Sequence, residues 1–143
     1  MKILVDADAC PGRNTIEQAA KEHNIEVVMI CDLNHRLESS YSQVIYVDSG
    51  FQSVDMHLIN KASKNDIVVT QDFGVAAMAL GKGAAAIGPK GHIYSNDNID
   101  RLLFERHISQ KVRRGGGKTG TIKKRSKEDE DRLYNNLKRL ISN

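Results

Sequence analysis

The string Val-Asp-Ala-Asp-Ala-Cys-Pro at residues 5–11 sets two carboxylates, Asp6 and Asp8, directly after the apolar run Ile3-Leu4-Val5. A further acid, Asp72, closes Thr-Gln-Asp at 70–72 behind Ile67-Val68-Val69, and Asp55 stands one residue into a segment with helical apolar spacing. Carboxylates gathered at one open end of a fold repel each other by on the order of several kcal/mol unless something neutralises them. A hard divalent cation does so: Mg²⁺ or Mn²⁺ takes one or two carboxylates, waters and a substrate phosphate. Such an ion lowers the pKa of its water and stabilises charge on a phosphodiester. Asp is also a good helix cap, and capping alone would account for Asp72. It does not account for Asp6, which ends a buried run two residues before another candidate cap.

Other reactive residues offer less. Cys10 has no histidine placed as a base, and neighbouring acids would raise its pKa, so it reads as a packing thiol. The five histidines show no metal-ligand spacing, which argues against zinc. His35 and Arg36 read as solvated loop residues. Gly117-Lys118-Thr119 resembles the end of a phosphate-binding loop, but Val112 stands where that motif needs glycine and no strand precedes it.

The elements that must position the acids follow from periodicity. Short apolar runs at 3–5, 25–30, 44–47, 66–70 and 84–87 predict five strands buried on both faces. Helical spacing predicts intervening helices after Pro11, from Ser53, and over 75–80. Asn14 with Glu17 suggests a capping box for the first. A longer helix is expected over about 98–112, burying Ile99, Leu102, Leu103, Arg106 and Ile108. Alternating strands and helices imply a parallel sheet covered on both faces, and right-handed crossovers favour strand order 3-2-1-4-5. Ligands bind such sheets beyond the carboxyl ends of the strands, where the order reverses. That point lies just after Val5 and Val69, at Asp6 and Asp72.

Charge divides the chain. Residues 1–100 carry 8 Lys/Arg against 13 Asp/Glu, whereas residues 101–143 carry 13 against 5. Within Lys111–Lys127 there are eight basic residues, four glycines and no acid. The chain therefore reads as an α/β domain over 1–111, a basic glycine-rich linker over 112–127, and a helix over 128–143 started by Ser126 and Asp129. The apolar stripe of that helix, Leu133, Leu137, Leu140 and Ile141, should pack on the body or on a second copy of the chain. Arg113, Arg114, Lys118, Lys123, Lys124 and Arg125 are suited to contact phosphates without reading sequence, so nucleic acid, RNA first, is the expected partner.

Composition sets outer bounds. The 143 residues are 40% hydrophobic and 27% charged with two prolines, which excludes collagen-like and disordered classes. No apolar run approaches the roughly 18 residues of a membrane span, and an acid at position 6 argues against a signal peptide. Two cysteines suit reduced thiols, so a cytoplasmic location is expected.

Val-Asp-Ala-Asp-Ala-Cys-Pro at 5–11, Val-Val-Thr-Gln-Asp at 68–72 and Lys-Gly-Ala-Ala-Ala-Ile-Gly-Pro-Lys-Gly at 82–91 resemble the YaiI/YqxD family of small bacterial proteins. Val-Asp-Met-His-Leu-Ile-Asn at 54–60 fits it more loosely. The family is grouped with PIN-like domains, which implies a three-layer α/β/α, Rossmann-like fold. Many PIN-like proteins are Mg²⁺- or Mn²⁺-dependent ribonucleases with acids at the strand ends. Under that resemblance Asp6, Asp55 and Asp72 match the acidic positions, and Asp8 is an extra carboxylate of the family string. Fold does not fix function.

Three functions compete. In the first, a metal-dependent nuclease, Asp6, Asp55 and Asp72 hold the ion, Asp8 ligates it or orients water, and the basic segment holds the strand. In the second, a phosphatase, Asp6 is a nucleophile and Asp8 an acid/base, with Thr70 and Lys90 assisting; the short chain without a cap domain counts against it. The third is a non-catalytic nucleic-acid-binding protein.

Overall fold

A computed structural model describes residues 1–34, 36–48, 53–114 and 125–143. Strand β1 (Lys2–Asp6) passes through a 3-10 turn (Ala7–Ala9) into helix α1 (Arg13–Glu22). Strands β2 (Glu26–Asp32) and β3 (Gln43–Val47) precede α2 (Val54–Lys61), then β4 (Ile67–Val69) and α3 (Phe73–Gly81). Strands β5 (Ala85–Ile87) and β6 (Ile93–Tyr94) are followed by α4 (Ile99–Arg114) and α5 (Lys127–Ser142).

The sheet order is β3-β2-β1-β4-β5-β6. The first five strands are parallel, in the predicted order, and β6 runs antiparallel to β5. The sheet thus has six strands rather than five. Two residues are too few to show a period, and β6 is set up by the turn before it, where Gly88 N–H donates to the His92 carbonyl at 2.9 Å.

Two apolar layers sandwich the sheet, as the pleat requires. Ile3, Val5, Val27, Met29 and Val69 face Ile16, Ala19 and Ala20 of α1 and Leu133 and Leu137 of α5. Leu4, Val28, Ile30 and Val68 face α2, α3 and the start of α4. The result is a three-layer α/β fold. Full burial of a leucine contributes about 1.5–3 kcal/mol, and Leu133 and Leu137 are both fully buried. Helix α5 therefore lies against the body of its own chain. Its start has the expected capping box: Ser126 accepts from Asp129 N–H, and Asp129 accepts from Ser126 N–H.

Helix α1 begins differently. Its N-cap is Gly12, with no side-chain cap, and Glu17 instead accepts from the hydroxyls of Ser39 and Ser42. Helix α4 runs on through Arg114, so its last turn occupies residues assigned to the linker. Ile108 is 43% exposed rather than buried, because α4 leaves the body after Leu103.

Candidate functional site

Asp6 is the last residue of β1. The register Val5↔Val69 brings its strand end level with that of β4, and Asp6 pairs with Ile30 of β2. Asp8 lies in the 3-10 turn, where its Oδ1 accepts from Asp32 N–H at 2.8 Å and ties the turn to the end of β2. Asp72 is the N-cap of α3, its Oδ1 accepting from Gly74 N–H at 2.8 Å and Val75 N–H at 3.1 Å. The capping role expected of Asp72 is real, and the residue sits half-buried at the strand-end cleft as well. Asp55 occupies the first turn of α2, which starts where Ser53 accepts from Met56 N–H.

Electrostatics join the four. The Asp6 carboxyl is pushed up to about 6 by burial first, then by Asp55 and Asp8, with a smaller push from Asp72. Burial also raises Asp55, followed by Asp72 and Asp8. Each acid of the predicted set thus acts on another across the cleft. Asp6, Gln71, Asp72 and Phe73 line a cavity of about 370 Å³ at this point. An all-oxygen donor set suits Mg²⁺ or Mn²⁺ rather than a soft metal. Among the described residues, however, no three His, Cys, Asp or Glu side chains converge as a ready-made metal group.

The remaining candidates separate. Arg113 and Arg114 belong to the end of α4. Lys118, Lys123 and Lys124, like His35, lie outside the described residues. Arg125 packs against the body, with Nη1 donating to the Pro89 carbonyl. Thr70 is buried, its Oγ1 accepts from Asp72 N–H, and its carbonyl accepts from Tyr94 Oη at 3.2 Å. It therefore braces the cleft from within. Cys10 and Cys31 are buried thiols, both raised chiefly by burial.

Sequence reasoning missed Gln71 and Tyr94, which wall the cleft and the space beside it. Gln71 sits between Thr70 and Asp72, and that position was its only signal. The Tyr94 hydroxyl is pushed up to about 12 by burial and then Asp72, so it stays protonated and keeps donating to Thr70.

The fold and site define a three-layer α/β protein with carboxylates at the switch point of its sheet. The chain belongs to the family described as "Uncharacterized BCR, YaiI/YqxD family", whose model matches residues 4–143. It is 67% identical to a UPF0178 protein of Clostridium tetani over 141 residues, covering 99% of this chain and 97% of that one. A UPF0178 protein of Clostridium novyi is also 67% identical over 142 residues, covering 99% and 95%. Among solved structures, Rae1 (YacP) from Bacillus subtilis is similar with a TM-score of 0.44 and 18% identity, covering 85% of this chain and 86% of that one. Among the described residues no helix is long and apolar enough to cross a membrane.

Proposed function

We propose that the protein is a Mg²⁺- or Mn²⁺-dependent nuclease acting on RNA. The observation that carries this reading is the crowding of Asp6 by Asp55, Asp8 and Asp72 at the carboxyl end of the sheet. A divalent cation would remove that repulsion, and Asp6, Asp55 and Asp72 are the residues to hold it. Bound there, it would supply an activated water and charge stabilisation for a phosphodiester. Asp8, anchored by Asp32 N–H in the turn after β1, is the residue to orient that water. The basic residues Arg113, Arg114, Lys118, Lys123 and Lys124 supply strand affinity without sequence preference.

The test is cleavage of single-stranded RNA by purified protein with Mn²⁺ or Mg²⁺, stopped by chelation and by Asp6→Asn or Asp72→Asn. Cleavage that survives both substitutions together belongs to a contaminant. A second reading, a nucleic-acid-binding protein without catalysis, draws on the lack of a converged three-residue metal group among the described residues. It predicts RNA binding with neither metal-dependent stabilisation nor cleavage.

A further inference from the structure

Phe73 opens on the acidic cleft itself. It is the first residue of α3, directly after the N-cap Asp72, and with Asp6, Gln71 and Asp72 it lines the cavity of about 370 Å³. It packs against the layer that holds Leu4, Val68 and Val75, yet it stays partly exposed. The ring meets Tyr94 edge to face, with centroids 5.7 Å apart and planes at 68°. Tyr94 is buried and its hydroxyl donates to the Thr70 carbonyl at 3.2 Å, while Thr70 Oγ1 accepts from Asp72 N–H at 3.0 Å. One brace thus fixes both the ring of Phe73 and the backbone that carries the Asp72 carboxylate.

The carboxylates gain nothing from the face of a phenyl ring, whose quadrupole is negative there. A nucleic-acid strand does gain, because every base has a π-face and stacks on an aromatic side chain whatever its sequence. Consecutive Cα atoms lie ~3.8 Å apart, so a phosphodiester at Asp72 and a base on Phe73 belong to one nucleotide or to its neighbour. Other rings are engaged elsewhere. Lys21 covers a face of Tyr41 at 5.4 Å, Lys138 covers a face of Tyr134 at 4.9 Å, and Tyr46 Oη is tied to the Leu37 backbone. The cleft cavity falls within the roughly 300–1,000 Å³ usual for ligand sites. Its aromatic wall is set before binding, so little ordering is lost on stacking.

We propose that Phe73 is a stacking platform for one unpaired base next to the phosphodiester held at Asp6 and Asp72, so that the site selects single-stranded RNA. The choice of RNA rests on the nuclease reading above, whereas the stacking contact requires no cleavage. In an A-form duplex the bases are already paired and stacked, and only unpaired ones can be splayed onto a ring. Phosphate contacts alone let a strand slide; a base on Phe73 stops it with one linkage at the acids. The ring reads no base edge, so preference among bases should be modest and follow stacking strength.

The sequence holds no tryptophan, so Phe73→Trp places a single fluorophore at the site. The experiment titrates the full chain of this variant with octaadenylate, in EDTA and in Mg²⁺, following tryptophan emission and the anisotropy of a labelled strand. Binding should quench the emission. An abasic strand of equal length, which has the phosphates without the bases, should bind by anisotropy and leave the emission unquenched, as should a blunt RNA duplex. Phe73→Leu should weaken octaadenylate binding by about fivefold or more. It should leave the log–log salt slope unchanged, because no phosphate contact is lost. Phe73→Tyr keeps the ring and should retain the affinity. No binding, binding without quenching in both conditions, or equal quenching by the abasic strand or the duplex would overturn the platform. So would undiminished affinity in folded Phe73→Leu, or an equal loss in Phe73→Tyr. Should Phe73→Leu not fold, the tryptophan emission decides; should Phe73→Trp not fold, the comparison of Phe73→Leu with Phe73→Tyr decides. The two proposals fail separately. Quenching with no RNA cleavage in Mg²⁺ sinks the nuclease alone, and RNA cleavage without quenching sinks the platform alone.

Discussion

A methyl group on Gly91 would lie 2.4 Å from the backbone nitrogen of Leu133, so the turn after β5 and helix α5 touch backbone to backbone. Gly91 also has a φ of +91°, and its carbonyl accepts from Asn136 Nδ2 at 2.6 Å. Gly91→Ala should therefore cost at least about 2 kcal/mol, combining left-handed strain with a clash that pushes α5 off the sheet. Gly81→Ala is the control, because a Cβ there meets nothing within 4 Å at the end of α3. It should be neutral or stabilising by up to about 1 kcal/mol. Thermal denaturation of both variants checks the contrast.

Asp72 serves both a cap and the cleft, and two substitutions separate these roles. Asp72→Asn keeps an oxygen for Gly74 and Val75 and should change metal-free stability little. Asp72→Ala loses the cap and should cost about 1 kcal/mol. If the acids hold a cation, both variants should lose stabilisation by Mn²⁺, which in the wild type reaches about 2.7 kcal/mol at a hundredfold excess over Kd. Urea melts with and without Mn²⁺ measure all of this.

The raised carboxyl of Asp6 fixes the sign of a pH effect in metal-free protein. With a folded value of about 6 against the ordinary 3.8, the folded chain holds the proton more tightly than the unfolded one. Its contribution is favourable below about pH 4 and is lost as pH rises through 6. Asp6→Asn should thus match the wild type near pH 4 and exceed it at pH 8 by about 1–2 kcal/mol, after allowance for solvent at a half-buried group. Denaturant midpoints at pH 4, 6 and 8 in EDTA test it; a variant less stable at pH 8 contradicts the crowding.

RNA affinity should fall steeply with salt. Replacing Arg113, Arg114, Lys123 and Lys124 by Gln should flatten the log–log slope by about 0.7 for each phosphate that is no longer neutralised. Fluorescence anisotropy at a series of salt concentrations measures that slope. An unchanged slope would leave these residues a role in solubility only.

The central strands and their order were legible because buried parallel strands are plain Val/Ile runs and crossovers have one hand. The acids were legible for the same reason, since each follows a strand or an evident helix start such as Ser53. What escaped depends on tertiary packing. The Asn14–Glu17 spacing mimics a cap, but the Ser39 and Ser42 hydroxyls take Glu17. In sequence Arg125 is one more cation in a basic run; only its docking against Pro89 and Gly12 sets it apart. Residues 93–94 carry no period, so β6 waits on the turn that positions it.

Tyr134 of α5 donates to the Glu22 carboxylate, 112 positions earlier, and Leu133 and Leu137 complete the apolar layer over α1. During synthesis the early strands and α1 emerge long before these leucines exist. Until residue 137 is made, that layer has no lid and the face around Ile16, Val5 and Met29 stays open to water or to a chaperone. Pairings of such long sequence separation also slow the final closure. A released chain that ended between α4 and α5 would thus carry its sheet with one apolar face uncovered, a species more prone to aggregation than the finished protein.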